Sequence, residues 1–209
     1  MRVFVAVSAA LVLFGCNWVV TKAPLFGRAD EAGAPQLRSG VWSAGSSSEC
    51  AFDERRPITD WPDCAGRLVI RDGRWMTLDR KDGRWTWSTQ HALLTGGSPQ
   101  ILQTPPAADR KGADGGYSYY GLGGERRDRG GRITAFKMWP VLCGPPPPPA
   151  KAGDSGPTPA THPFPGLTMD AGDSDCTTAS REALRNAADA SRLWADSALT
   201  AHWVRAGDR

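Results

Sequence analysis

The chain has 209 residues with 25 basic and 22 acidic side chains, a formal charge of +3, and this near balance gives no general case for a nucleic acid as partner. Its length suits one ordinary domain with tails. The 24 glycines, 17 prolines and nine tryptophans argue against a helical bundle and favour short strands joined by turns.

An apolar run follows a single basic residue at the start of the chain. Val3 to Phe14 comes after Arg2 and is apolar apart from Ser8, as in the hydrophobic region of a secretory signal peptide. As a helix this run rises about 18 Å, which is too short for a hydrocarbon core of about 30 Å. One alternative is an uncleaved membrane anchor, in which the run extends through Val20 and includes the polar Asn17.

The run ends in Leu13-Phe14-Gly15-Cys16, which resembles the lipobox of bacterial lipoprotein precursors. The resemblance implies that the Cys16 thiol receives a diacylglyceryl group, that cleavage falls between Gly15 and Cys16, and that the new amine is acylated. Two or three acyl chains hold a protein at a bilayer essentially permanently. Asn17 is not the Asp that retains many such proteins in the inner membrane, so we expect the outer membrane, facing the periplasm. In the competing interpretation Cys16 is an ordinary buried cysteine.

Four further cysteines are expected to form two disulfides, because their number is even and an exported chain reaches an oxidising compartment. They are Cys50, Cys64, Cys143 and Cys176. Three pairings are possible, and we favour Cys50–Cys64 and Cys143–Cys176, since neighbours in sequence are most often neighbours in space. Zinc is the alternative, but no C-x2-C or H-x3-H spacing occurs. We expect no metal and no cofactor.

The part of the chain after the signal peptide (residues 1–15) divides by composition. Residues 16–38 are rich in Ala, Gly and Pro after the first few positions and show no sustained hydrophobic period, which predicts a lipidated, flexible tether. A β-rich domain is expected over 39–143, beginning near Gly40-Val41-Trp42.

The clearest pattern is the repeated DGRW at 72–75 and 82–85. Asp-Gly is a favoured two-residue hairpin turn, because both positions need a positive φ. The pattern therefore predicts a meander of three strands, 68–71, 74–78 and 84–88. Trp85 and Trp87 share one face of the last strand. We favour core packing for this face over a stacking platform for a sugar or a base.

Further strands are expected at 99–103, 117–122 and 133–142, with a solvated charged turn at 125–132. GLGG at 121–124 is interpreted as a turn at a strand end. A proline-rich loop at 144–168 cannot form regular structure and is either a spacer or a ligand for an aromatic groove. Over 169–209 we expect one helix, with a packing stripe from Leu184 to Ala198, and a closing strand, Leu199 to Arg205, both packed on the same domain.

Motifs for chemistry are absent from the sequence, which has no G-x-S-x-G, no H-E-x-x-H and no phosphate-binding glycine loop. Asp170, Asp173 and Asp175 lack a calcium-loop pattern and are expected to complement the N-terminus of the helix. His202 is expected on the strand surface. No residue is named as catalytic, although a pair of carboxylates as in glycosidases is not excluded.

The order of elements, a G-x-W near the first strand, a meander, then a helix and a short strand, is similar to the lipocalin plan. G-x-W followed by a cysteine, here Cys50, also resembles the small barrel inhibitors of bacterial metalloproteases. These resemblances imply a mainly β, α+β domain, either a meander or barrel or a sandwich. The leading hypothesis is a non-catalytic envelope lipoprotein that binds the bilayer through acylated Cys16 and also an envelope protein or an apolar ligand. The alternatives are a lipocalin-like carrier, an inhibitor-like barrel and an envelope hydrolase.

Overall fold

The computed structural model describes residues 17–45, 50–82, 84–106, 116–146, 162–170 and 175–207. The predicted signal peptide, including Gly15, lies outside these ranges, and so does Cys16. Asp173 and most of the proline-rich loop also lie outside them. The strands are β1 Val20–Thr21, β2 Gly40–Gly45, β3 Arg67–Arg71, β4 Arg74–Lys81, β5 Arg84–His91, β6 Leu93–Leu94, β7 Gln100–Thr104, β8 Tyr117–Arg127, β9 Ile133–Pro140, β10 Thr168–Met169, β11 Cys176–Thr177 and β12 Leu199–Arg205. Helix α1 spans Arg181–Ser191, and 3-10 turns occupy Arg28–Glu31, Ile58–Asp60, Asp63–Ala65 and Arg192–Ser197.

The fold is mainly β, as predicted, and consists of one antiparallel, nearly closed, barrel-like sheet with one α-helix and a closing strand near the C-terminus of the described chain. The strand order is β5-β4-β3-β2-β12-β9-β8-β7-β6, and β1 joins the edge of β8. The last strand, β12, lies between β2 and β9. The C-terminal segment thereby completes the sheet of the β-rich domain and belongs to the same unit.

The two Asp-Gly turns form the hairpins that the DGRW repeat predicts. Asp72 and Gly73 have φ of 49° and 71°, and Asp82 also has φ of 49°. β3 pairs with β4 from Arg71↔Arg74 outward, and β4 pairs with β5 from Lys81↔Arg84. Local turn chemistry alone sets the register of these three strands.

Alternation along the strands separates the buried apolar residues into three clusters. The inner face of the sheet carries Trp42, Leu68, Ile70, Leu102, Leu122, Ile133, Phe136 and Ala201, with Trp75, Met138 and Trp203 partly buried against them. The Trp42 and Phe136 rings lie 5.6 Å apart, and Trp75 lies 6.0 Å from Phe136. Large side chains from strands on both sides of the barrel therefore fill its interior.

The second cluster lies on the outer face of β7 to β9, beneath α1. It contains Ile101, Tyr119, Val141, Leu184, Ala187 and Ala188 and includes the cysteines Cys143 and Cys176. Ser180 is the N-cap of α1, and its Oγ accepts a hydrogen bond from the N–H of Ala183 at 3.1 Å. The Ser180 side chain thereby satisfies one of the free backbone N–H groups at the N-terminus of the helix. The predicted stripe is buried from Leu184 to Ser191, where α1 ends, and a 3-10 turn over Arg192–Ser197 replaces the expected continuation of the helix to Ala198.

The third cluster lies on the outer face of β2 to β4, beneath the loop between β2 and β3. Val41, Val69 and Leu78 on the strands pack against Ile58, Trp61 and Ala65 from the loop. Both favoured cysteine pairs lie at disulfide distance: Cys50–Cys64 fastens this loop, and Cys143–Cys176 lies within the cluster beneath α1. The sheet thus separates two flanks, one covered by the helix and the other by a disulfide-bonded loop.

Residues 17–38 do not form the expected tether but pack against the body. Val19 is fully buried, and its N–H donates to the carbonyl of Val141 at 2.9 Å. β1 pairs with β8. The Gln103 side chain accepts a hydrogen bond from the N–H of Phe26 and donates one to the carbonyl of Phe26. The Ala, Gly and Pro content suggested a free segment, but these backbone and apolar contacts fix it.

GLGG at 121–124 lies inside β8 and is not the strand-end turn that the sequence suggested. A Cβ on Gly121 would come within 2.5 Å of the Trp139 indole, which lies over the backbone there. Trp139 Nε1 donates to the carbonyl of Ala188 in α1 at 2.8 Å. The glycines therefore make room for a tryptophan that joins the helix to the sheet.

Tyr119 provides one test of how firmly the N-terminal segment is held. Its buried hydroxyl lies 2.6 Å from Thr21 Oγ1 and accepts from the N–H of Leu25 at 3.3 Å. We expect Tyr119→Phe to lower the free energy of unfolding by about 1–2 kcal/mol, because Leu25 and Thr21 lose a buried partner. Desolvation by burial raises the pKa of Tyr119, so the wild type should also lose stability above pH ~10. Urea titrations at neutral and alkaline pH measure both effects. A phenylalanine variant as stable as wild type at neutral pH would contradict the first, and a wild type equally stable at neutral and alkaline pH would contradict the second.

Candidate functional site

Trp85 and Trp87 lie on the outer face of the sheet, where 36% and 45% of their surfaces are exposed. The expectation that this tryptophan face packs in the core is therefore wrong. Alternation along β5 correctly places both rings on one side, but the covered side of an edge strand depends on what packs against it. Here every residue of β5 is exposed.

The neighbouring strands continue the apolar surface of the two tryptophans. Trp87 pairs with Leu78 across β4 and β5, and Met76, two residues along β4, pairs with Val69 of β3. Cross-strand partners share a face of the sheet. Val69 and Leu78 belong to the outer cluster beneath the loop, which identifies this face as the outer one.

The loop between β2 and β3 supplies the opposite wall. Pro57, Ile58 and Thr59 stand over the outer face of β3 and β4. The loop is held by the Cys50–Cys64 bond and by Phe52, whose ring lies 4.8 Å from that of Trp61. This wall therefore does not depend on a bound ligand for its position.

Together the loop and the strands enclose a groove with a volume of about 450 Å³. Its lining residues are Pro57, Ile58, Thr59, Val69, Met76, Leu78, Trp85 and Trp87. Thr59 is the only polar side chain among them. The lining that the structure describes therefore suits apolar groups.

Arg67 joins the two walls of this groove, which we name the tryptophan groove. Its guanidinium lies 4.5 Å from the centre of the Trp85 ring. The same group donates to the carbonyls of Ile58 and Trp61 and to Asp63 Oδ1, the last at 2.8 Å. Arg67 thus fixes the loop relative to β5, and Asp63 balances its charge.

The backbone of β5 borders the tryptophan groove as the last strand of the sheet. All eight of its residues pair with β4 on one side, and no other strand in the described ranges pairs on the other. Most soluble proteins protect such an edge with prolines, bulges or charges. RWTWSTQH has no proline, and its one arginine stands at the first position.

The remaining residues singled out from the sequence lie apart from this groove. His202 Nε2 lies 2.7 Å from Glu54 Oε1 on the surface, as expected for a surface strand residue. Asp175 accepts from the N–H of Trp18 at 3.3 Å. Within the described ranges no three His, Cys, Asp or Glu side chains converge as metal ligands.

The structure shortens the charged turn expected at 125–132, because β8 continues through Arg127, and the remaining turn at 128–132 is organised around one carboxylate. Backbone N–H groups of Arg132 and Gly130 bond Asp128 at 3.0 and 2.9 Å. The bond from Arg132 in particular holds the pKa of Asp128 below its usual range. This carboxylate closes a hairpin, so we assign the turn a structural role.

Comparison with known proteins returned no matching family, no similar curated protein and no similar solved structure. No helix in the described part of the chain is long and apolar enough to cross a membrane. The tryptophan groove therefore has to be interpreted from its own geometry.

Proposed function

We propose that this chain is a non-catalytic lipoprotein of the bacterial envelope, anchored through acylated Cys16 in the outer membrane and facing the periplasm. Its partner is an envelope protein that contributes an extended segment to the edge of β5. The lipobox Leu13-Phe14-Gly15-Cys16 supports the anchor. The groove and the edge strand beside it support the binding function.

The observation that carries the binding proposal is that β5 ends the sheet within the described ranges and lies directly beside an apolar groove. An extended segment added to β5 would form backbone hydrogen bonds along the strand, and alternate side chains would enter the groove. Apolar groups there would contact Trp85, Trp87 and Leu78, which are already held in place by β4 and Arg67. Such preorganisation reduces the entropy lost on binding.

Two other hypotheses receive less support from the described residues. A lipocalin-like carrier would hold its ligand inside the barrel, where Trp42, Phe136 and their neighbours are packed. We therefore assign an apolar small molecule, if one is bound, to the outer groove. An envelope hydrolase would need ionisable groups facing its substrate, whereas the described lining residues are apolar or aromatic apart from Thr59.

The binding proposal predicts that displayed random peptides selected on the folded domain share alternating apolar residues. Trp85→Ala combined with Trp87→Ala should weaken their binding at least 30-fold. This corresponds to about 2 kcal/mol, the loss expected when a single tryptophan at a binding hot spot is removed. Thr86→Ala is the matched control, since Thr86 lies on the other face of the same strand and should leave the affinity unchanged. Fluorescence titration measures the affinities, and hydrogen exchange should show new protection of the amides of β5.

Several results would contradict this proposal. An equal loss of peptide affinity in the tryptophan and Thr86 variants would show that binding does not use the groove. A wild-type dimer that dissociates in the tryptophan variant would show that the segment added to β5 comes from a second copy of the chain. Lipid that co-purifies with wild type but not with the tryptophan variant would favour the apolar ligand. Turnover of a hydrolase substrate panel, abolished by one carboxylate or serine substitution, would favour the enzyme.

A further inference from the structure

The first described residues after Cys16 are built into the body of the protein. The carbonyl of Asn17 accepts a hydrogen bond from the N–H of Cys143 at 2.9 Å, and the carbonyl of Trp18 accepts from the N–H of Cys176 at 3.1 Å. The Trp18 ring also contacts Tyr120 edge-on at 6.3 Å. The disulfide between Cys143 and Cys176 therefore holds the start of the folded chain on both sides.

This arrangement leaves almost no slack between the proposed lipid and the body. Consecutive Cα atoms across a trans peptide are about 3.8 Å apart. The covalent link to the fixed Asn17 therefore limits how far the lipid on Cys16 can lie from the folded body. A flexible linker of a dozen residues would instead give a separation of about 19 Å. Acyl chains on Cys16 would thus leave the protein directly at its surface.

The surface beside Asn17 carries the most exposed large apolar side chain of the described residues. Leu193 is 77% exposed and follows Ser191, whose Oγ accepts from the N–H of Leu142 at 2.9 Å. Leu142 in turn forms a bridge with Trp18. Leu193 therefore lies close to the point where the chain continues to Cys16.

Two aromatic rings extend this surface. Phe164 stacks on Trp194 with 6.0 Å between the ring centres. The N–H of Phe164 donates to the carbonyl of Cys143 at 2.7 Å, and Cys143 is the residue that bonds Asn17. We name this set the anchor face: Asn17, Trp18, Leu142, Phe164, Leu193 and Trp194.

We propose that the anchor face rests on the bilayer, so that the domain lies directly against the membrane and does not hang from a tether. The inference rests on the proposed lipid at Cys16. Half-buried aromatic rings beside an exposed leucine suit the region between headgroups and acyl chains. Next to Leu193, the charge of Arg192 is balanced by Asp189 at 3.3 Å. Contact should therefore not require anionic lipid.

This orientation directs the tryptophan groove away from the membrane. The anchor face belongs to the flank formed by β7 to β9 and α1, whereas the groove lies on the outer face of β3 to β5. In the sheet, β2, β12 and β9 lie between β3 and β8. A partner in the periplasm would then reach the edge of β5 without displacing the domain from the lipid.

The test uses the full lipoprotein in phosphatidylcholine vesicles, with a thiol-reactive fluorophore on Leu193→Cys. The matched probe is Thr86→Cys, an exposed position on β5, the strand that borders the tryptophan groove. Brominated lipid should quench the probe at position 193 at least two-fold and leave the probe at position 86 unchanged. Twelve Gly and Ser residues inserted between Cys16 and Asn17 should abolish most of the difference. Adding anionic lipid should not alter it.

Intact mass and a Cys16→Ser variant separate the two proposals. A wild type without lipid mass, or a serine variant that binds vesicles equally well, would overturn the anchor at Cys16. A lipidated, vesicle-bound protein whose two probes are quenched equally would overturn the orientation alone. Quenching that survives the inserted linker would overturn the claim that the short connection holds the anchor face on the membrane.

Discussion

Replacing Cys143 and Cys176 together with alanine is expected to lower the free energy of unfolding by about 4 kcal/mol. The bond joins positions 33 residues apart, and the chain-entropy relation assigns a loop of that length about 3.7 kcal/mol at 25 °C. Both cysteines are fully buried in the cluster beneath α1, so their removal also disturbs packing. Urea denaturation monitored by tryptophan fluorescence measures the loss.

The Cys50–Cys64 pair is the matched control for this prediction. Its sequence separation is 14, for which the same relation gives about 3 kcal/mol. The two double variants should differ more in location than in size. Hydrogen exchange should increase in β1 when Cys143 and Cys176 are replaced, because those residues bond Asn17 and Trp18, and around Ala65 when the other pair is replaced. A loss below about 1 kcal/mol for Cys143 and Cys176, or the same exchange pattern in both variants, would contradict this account.

Trp42→Ala is expected to cost about 3–5 kcal/mol, the usual range for deleting a large buried aromatic ring. Trp42 is fully buried inside the barrel against Phe136. Its indole Nε1 also donates to the carbonyl of Arg38 at 2.9 Å, and alanine leaves that bond unmade. Thermal and urea unfolding provide two independent measurements.

Trp87→Ala is the control for Trp42, because the residue type and the substitution are the same. Trp87 is 45% exposed and contacts Leu78 across the strands, so its loss should cost about 1 kcal/mol, well below the loss at Trp42. Its effect should appear in binding. Equal destabilisation by the two alanines would mean that the tryptophan groove is part of the core, which would contradict the assignment of the site.

The parts of this fold that follow from neighbouring residues could be predicted from the sequence. The Asp-Gly turns place positive φ at Asp72 and Asp82 and so determine the meander from β3 to β5. The closing strand was predicted within its observed bounds, Leu199 to Arg205, and its alternation puts Leu199, Ala201 and Trp203 on the inner face. The favoured cysteine pairs are also those at disulfide distance. The turns and the alternation depend on short-range geometry, and the cysteine pairing on proximity in sequence.

The candidate site was only half predictable for the same reason. Alternation in RWTW identifies a tryptophan face, but nothing in the strand states whether another element covers it. The loop carrying Pro57 and Ile58 reaches only one side of that face, and β5 ends the sheet. The groove therefore results from two features of the tertiary structure, the position of this loop and the position of β5 at the edge of the sheet. The usual burial of tryptophan had instead favoured a core position for this face.

The N-terminal segment shows the same division. By itself the sequence determined the hairpins, the mainly β class and the closing strand, and it shows an apolar N-terminal run that ends in Leu13-Phe14-Gly15-Cys16. Only the tertiary structure decided that residues 17–38 pack on the body, that GLGG lies beneath Trp139, and that Trp85 and Trp87 face solvent. The physical reason is that turns and alternation are set by adjacent residues, whereas burial depends on which distant backbone supplies hydrogen bonds and apolar contacts.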